Sequence, residues 1–402
     1  MHPSYPINPE SSRDTVPNFR GLSAAKYRTL SEHAAELADR PDVLPFSVAD
    51  MEFPVAEVIR ERLRQRIDSG FLGYTLMSDS YVEAVTSWHR ERHGMDFGRE
   101  NLAQVAGVVR GISVALRAFT RPGDGVIIMT PVYPPFYSVI KNNERVIREN
   151  PLVEVPGERP TYGIDFAQLE ELAAEESTTA LVLCSPHNPT GRVWSQDELE
   201  RIDRICQAND IFVISDEIHG DLTFVEGGYT PYMNVSDYAR QHSLTLTAPS
   251  KTFSIAGLAC SNAIADVPVI EGFRERLGLE SAGGINVMGQ EAGEAAYSLG
   301  GPWLDETLAY IKANDVRVHA WLSRELPDVR LFKLEGTYLL WLDCSGLADD
   351  ETLQSACEAS YFDVQDGSRF GAAGKGFRRV NIAAPWPALE AALVRFKDCL
   401  EG

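Results

Sequence analysis

The sequence predicts an α/β protein, with a large domain built on a mostly parallel sheet and a smaller α+β domain beside it. Three observations point there. Short strand-like runs at 125–129 (GVIIM), 180–184 (ALVLC), 211–215 (IFVIS) and 243–247 (SLTLT) alternate with helical stretches, the pattern of a parallel sheet covered by helices. Polar or proline-rich clusters follow these runs at 131–137, 185–191, 216–219 and 250–251, and ligands collect beyond the carboxyl ends of such strands. After a long helical tract at 302–326, residues 329–402 carry an α+β pattern of their own. The expected division is an amino-terminal arm and part of the small domain (1–45), a large domain (46–300), and a connecting helix with the small domain (301–402).

Length and composition agree with this reading. The chain has 402 residues, 44% hydrophobic and 24% charged, enough for two domains and a sizeable core. Its 37 basic and 58 acidic residues leave a net charge of −21, which opposes binding to nucleic acid or an anionic membrane. No apolar run approaches the roughly 20 residues of a membrane span. The amino terminus lacks the apolar core of a signal peptide. Cysteines at 184, 206, 260, 344, 357 and 399 show no metal-type spacing, so reduced, mostly buried thiols in a cytoplasmic protein are expected.

Residues 1–20, rich in Pro, Ser and Asn, read as an extended arm, followed by a short helix at 23–38. Pro54 suits the first position of a helix, with Val55, Val58, Ile59, Leu63 and Ile67 as its apolar face and Gly70 as its end. Loop 71–75 carries Tyr74. On the next helix, 80–92 and just beyond, His89 and His93 are four apart, a spacing that can bind metal. No third ligand is nearby, so a solvated helix face is expected and no metal.

The candidate chemistry begins at Lys251. It follows the break at Ala248-Pro249 and has small or apolar neighbours, among them Phe253, Ile255 and Ala256. A desolvated amine has a lowered pKa and can act as a Schiff-base nucleophile. Asp216 ends a buried strand, where a carboxylate needs a cationic partner. A pyridinium nitrogen is one such cation, and a structural aspartate is the plainer alternative. Asn188 sits in the turn CSPHNPTG (184–191), and its amide can donate to a phenolate oxygen. The stretch GVVRGI (107–112) opens a helix whose free N–H groups suit a phosphate. Tyr133, between prolines, can stack on a ring. Arg379 offers a fork for a carboxylate, while Arg378 beside it reads as a surface residue.

Together these motifs resemble the fold-type I, aspartate-aminotransferase-like enzymes that use pyridoxal 5'-phosphate, and most of all the MalY/PatB-type cystathionine β-lyases, or C–S lyases. The resemblance runs from about Leu44 to Pro385 and includes LPFSVADMEFP (44–54), GFLGYT (70–75), CSPHNPTGRVW (184–194), SDEIHGD (215–221), PSKTFSIAGL (249–258) and GKGFRRVNIAAP (374–385). It implies that Lys251 is the Schiff-base lysine and that Lys251 and Tyr133 lie at the reacting centre. Asp216 then partners the pyridine nitrogen, Asn188 meets the ring hydroxyl oxygen, and Tyr133 stacks on the ring. Val108, Val109 and Ser250 bind phosphate, with Tyr74 reaching it from the other subunit of a homodimer. Arg379 holds the substrate carboxylate.

Two positions depart from the aminotransferase pattern. His219 stands where many transaminases carry a tyrosine, and counts with the cofactor contacts. Ala259 stands where many have a phosphate-binding arginine, which leaves the phosphate without a named cationic partner. The expected activity is β-elimination from cystathionine or related cysteine S-conjugates, a small-molecule amino-acid substrate class. The alternatives are an aminotransferase, or a lyase that also binds a transcription regulator.

Overall fold

The computed structural model describes residues 13–401 apart from 18, 20, 21, 34, 35, 38, 41 and 281–283. The arm expected over 1–20 lies largely outside the described residues. Seven strands form the main sheet: β1 (Leu102–Val105), β2 (Gly125–Thr130), β3 (Val146–Pro151), β4 (Thr178–Cys184), β5 (Phe212–Asp216), β6 (Ser243–Thr247) and β7 (Ser261–Ile264). Their spatial order is β1-β7-β6-β5-β4-β2-β3. From β6 to β3 every pair is parallel, whereas β7 runs antiparallel to both of its neighbours. The α/β class with a mostly parallel sheet is as expected.

The four strands legible in the sequence are β2, β4, β5 and β6, all buried on both faces or nearly so. A strand covered by helices on both sides reads as a continuous apolar run. Helices α1 (Glu57–Asp68), α2 (Asp79–His93), α3 (Val108–Phe119), α4 (Gln196–Ala208) and α5 (Gly301–Glu325) contribute to the layers around the sheets. Ser195 and Glu198 start α4 with reciprocal side-chain and backbone hydrogen bonds. At Gly111 of α3, a Cβ would stand 2.6 Å from Leu246 Cδ2 of β6, so the missing side chain lets this helix settle closely onto the sheet.

A second, antiparallel sheet lies in the carboxyl-terminal segment, in the order β8 (Arg330–Leu331), β9 (Leu339–Asp343), β11 (Phe377–Asn381) and β10 (Gln365–Asp366). One apolar cluster joins it to α5, to residues 43–59 and to Phe253 beside Lys251. The large and small sheets therefore share packed material next to the lysine.

Several local expectations need correction. Helix α1 starts at Glu57, with Ala56 rather than Pro54 at its cap. The preceding segment is held extended by the Glu52 N–H bond to the Ala383 carbonyl at 2.8 Å. Of the apolar face assigned to α1 only Ile59 is fully buried, while Val58 and Ile67 are exposed. Within 23–38 the described helical residues are limited to Ala25–Tyr27 and Arg28–Ser31. The two histidines do not lie on a solvated face. His89 is buried and donates to the Val85 carbonyl at 2.8 Å, and His93 donates to Asp221 at 2.7 Å. Arg378 is likewise buried, because β11 turns it toward Asp350 (2.9 Å) and Asp366 (3.4 Å).

Candidate active site

The carboxyl ends of β2, β4, β5 and β6 open onto a cavity of about 420 Å³. Eight of the ten residues singled out in the sequence line it: Lys251, Asp216, Asn188, Tyr133, Val108, Val109, His219 and Arg379. Register explains part of this meeting. Asp216 pairs with Cys184 on one side and with Leu246 on the other, so the acid, the asparagine turn and the lysine turn leave adjacent strands at one level. Ser250 is buried next to Lys251 but forms no part of the cavity wall, and Tyr74 stands fully exposed away from it.

Lys251 lies on the one-turn helix Pro249–Thr252. Its Nζ donates to the Ala49 carbonyl at 2.7 Å and sits 3.6 Å from Asp50 Oδ1. Burial lowers the pKa of this amine, against the charge of Asp50. Asp216 accepts a hydrogen bond from the Ile218 N–H at 3.2 Å. Burial pushes its carboxyl up to about 7, against the charge of Lys251. His219 is pushed down to about 3 by burial, with Lys251 and Arg379 adding to the effect. Its Nδ1 has no hydrogen-bond partner among the described residues.

Arg379 is buried on β11, its guanidinium reaching Asn188 Oδ1 at 3.0 Å and the Ser47 carbonyl at 2.7 Å. Burial brings it down to about 10, and its Nε is unpartnered among the described residues. The stretch 46–52 threads between the two sheets. Phe46 donates its N–H to the Asp363 carbonyl (2.7 Å) and accepts from the Asn381 N–H (2.8 Å). The Asn381 amide donates to the carbonyls of Val48 and Asp50. Tyr338 joins Lys251 on the Ala49 carbonyl, at 2.8 Å.

At the same cavity, which Val108 and Val109 line, α3 begins at Val108 after Gly107, whose φ of +109° is glycine territory, and no side chain caps it. Its first N–H groups therefore face the cavity end free for an anion.

This chain matches the aminotransferase class I and II profile over residues 41–395. The chain belongs to the aminotransferase class I and II family. Its relatives in that family include cystathionine beta-lyase PatB of Bacillus subtilis, 41% identical over 92% of this chain and 95% of that one. Protein MalY of Escherichia coli is 32% identical over 89% and 92%. Cystalysin from Treponema denticola, solved with pyridoxal 5'-phosphate, superposes with a TM-score of 0.90 at 36% identity, covering 97% of this chain and 98% of that one.

The family cofactor fits the residues present. A fully buried carboxylate with one N–H partner is under-satisfied and suits a cation; Asp216 is such a group. The uncapped turn of α3 suits a phosphate, and the Lys251 amine is within the same cavity. Among the described residues, the cationic side chains lining that cavity are Lys251, Arg369 and Arg379. Ala259 is not part of the lining and adopts a left-handed φ of +49°.

Sequence reasoning passed over Ala49, Asp50, Gln365 and Arg369. Ala49 and Asp50 fell inside a recognised motif without a role, because their partner Lys251 is 202 positions away. Arg369 gave no signal at all, being one arginine in an irregular stretch between β10 and β11.

Proposed function

We infer that this chain is a pyridoxal-phosphate-dependent carbon–sulfur β-lyase that cleaves cystathionine or related cysteine S-conjugates. The observation that carries the reading is the meeting of Lys251, Asp216 and Arg379 around one cavity, in a chain 41% identical to a cystathionine beta-lyase. The overall change consumes one water: the S-conjugate yields a thiol, pyruvate and ammonium.

The bound cofactor supplies an electron sink for the pair released when the substrate Cα–H bond breaks. The protein does the rest. Asp216 would hold a proton at the pyridine nitrogen, and Asn188 would meet the ring hydroxyl oxygen. Tyr133 would stack on the ring, and the first turn of α3, with Ser250, would hold the phosphate. Arg379 grips the substrate carboxylate and fixes which bond at Cα is presented for cleavage. The Lys251 amine, its pKa lowered by burial, takes the Cα proton. The carbonyl of Ala49 and the carboxylate of Asp50 hold that amine close to where the proton leaves. A thiolate then departs from Cβ, which explains why a sulfur substituent suits the reaction.

The reading extends to a cytoplasmic homodimer with Tyr74 completing the partner's phosphate site, and to the domain division at about residues 45 and 300. Exposed Phe71, Leu72, Tyr74 and Leu76, with Val58 and Ile67 of α1, support it as apolar surface awaiting a partner. No helix among the described residues is long and apolar enough to cross a membrane. Incubating the holoenzyme with cystathionine tests the reading. Thiol and pyruvate released with no keto-acid acceptor support it, while amino transfer that requires an acceptor replaces it with a transaminase.

A further inference from the structure

At the mouth of the cavity a second guanidinium, Arg369, lines the wall alongside Gln365. It is exposed, on the turn Gly367–Phe370. The backbone there is pinned on either side. Phe370 is fully buried against Trp341, and its carbonyl accepts the Val132 N–H at 2.9 Å. The nearest carboxylate in sequence, Asp366, is engaged by the Ser368 N–H (3.0 Å), the Ser368 hydroxyl (2.6 Å) and Arg378 (3.4 Å). Among the described residues, no hydrogen bond or ion pair engages the Arg369 side chain. Gln365 pairs with Arg379 across β10 and β11, and the ring of Phe370 lies 5.0 Å from the Arg379 guanidinium, which puts Arg369 on the substrate-carboxylate side of the site.

An amino-acid substrate has one α-carboxylate, and the buried Arg379 is placed to take it. A second cation on the same side, with no acid among the described residues paired to it, suits a second carboxylate on the substrate. We propose that Arg369 is a specificity-determining residue that selects cysteine S-conjugates whose departing thiol carries a carboxylate. This rests on the lyase reading above.

The test compares S-(2-carboxyethyl)-L-cysteine with S-(2-carbamoylethyl)-L-cysteine, which has nearly the same shape and no second charge. The wild-type holoenzyme should favour the carboxylate, by about 2- to 5-fold in kcat/KM for a rim-exposed charge contact. In Arg369→Gln that ratio should fall to near one, while titration of the cofactor absorbance gives the wild-type affinity. An unchanged ratio, or an equal fall on both conjugates, overturns the assignment and leaves the lyase reading standing. Weakened cofactor binding also overturns it, since Arg369 would then serve the phosphate. If the wild type releases no thiol or pyruvate from either conjugate, the lyase reading fails and takes this one with it.

Discussion

Thr252 Oγ1 donates a hydrogen bond to Asp221 Oδ2 at 2.7 Å, one residue along from Lys251. The other carboxylate oxygen of Asp221 accepts from Trp88 Nε1 at 2.9 Å and His93 Nε2 at 2.7 Å. Burial alone would raise the pKa of Asp221, yet the hydrogen bond and charge of His93 bring it down to about 2. Helix α2 is thereby fastened to the one-turn helix that carries the lysine. Removing one partner from a buried pair leaves the others unsatisfied, so Asp221→Ala should cost about 3–5 kcal/mol. Thr252→Val, which deletes one bond, should cost about 1 kcal/mol. Denaturant unfolding of both variants checks the order.

Lys251→Ala should abolish the absorbance that signals the covalent link to the cofactor. It should also lower turnover by at least about 10²- to 10⁴-fold, the range for losing a positioned general base. Lyase activity near wild type in this variant would remove Lys251 from the mechanism.

Asp216 gives a pH prediction for the cofactor-free protein. Its folded pKa, pushed up to about 7 by burial, exceeds the value for an unfolded aspartate. The unfolded chain therefore gives up that proton first, and this stabilising contribution is lost as pH rises from about 4 through 7. Asp216→Asn lacks the titration. The Tm of the variant minus that of wild type should therefore grow between pH 5 and pH 8. Cofactor should shrink the difference by giving the wild-type carboxylate a cation. A difference independent of pH would show that Asp216 is not the strained acid described above.

Arg379→Lys keeps the positive charge but loses the planar fork, together with the bonds to Asn188 and Ser47. With hydrogen bonds to charged groups worth about 1.5–3 kcal/mol, kcat/KM should drop about 10- to 100-fold. Steady-state kinetics on one S-substituted cysteine would measure it.

Tyr74 tests the partner contribution. Analytical ultracentrifugation should show a dimer, and Tyr74→Phe should weaken cofactor binding without altering the dimer. A monomeric holoenzyme at full activity would contradict both expectations.

Much of this was legible in the sequence, for physical reasons that differ by element. β2, β4, β5 and β6 announced themselves because a strand buried on both faces tolerates few polar residues. β3 did not, since Val146-Ile-Arg-Glu-Asn-Pro151 is an edge strand whose charged residues face water. β1 and β7 have four residues each, too few for a pattern to stand out. Lys251, Asp216 and Asn188 could be placed because each ends or follows a strand of one parallel sheet, and that topology alone makes them neighbours. Asp50 and Arg369 reach the cavity from outside that sheet, along paths no local pattern encodes. His93 and Arg378 were misjudged for a related reason: each is a charged or polar side chain whose partner lies on a distant element, and only the fold reveals the pairing.

A chimera joining the first fifty residues of one relative to the remainder of another would cut through a working surface, not a dispensable leader. The carbonyls of Ser47 and Ala49 touch the guanidinium of one sheet and the amine of the other. Donor and recipient would each bring half of a matched set. Breakpoints compatible with activity should therefore fall on the amino-terminal side of Phe46, or far enough beyond residue 53 that the whole crossing segment travels as one piece.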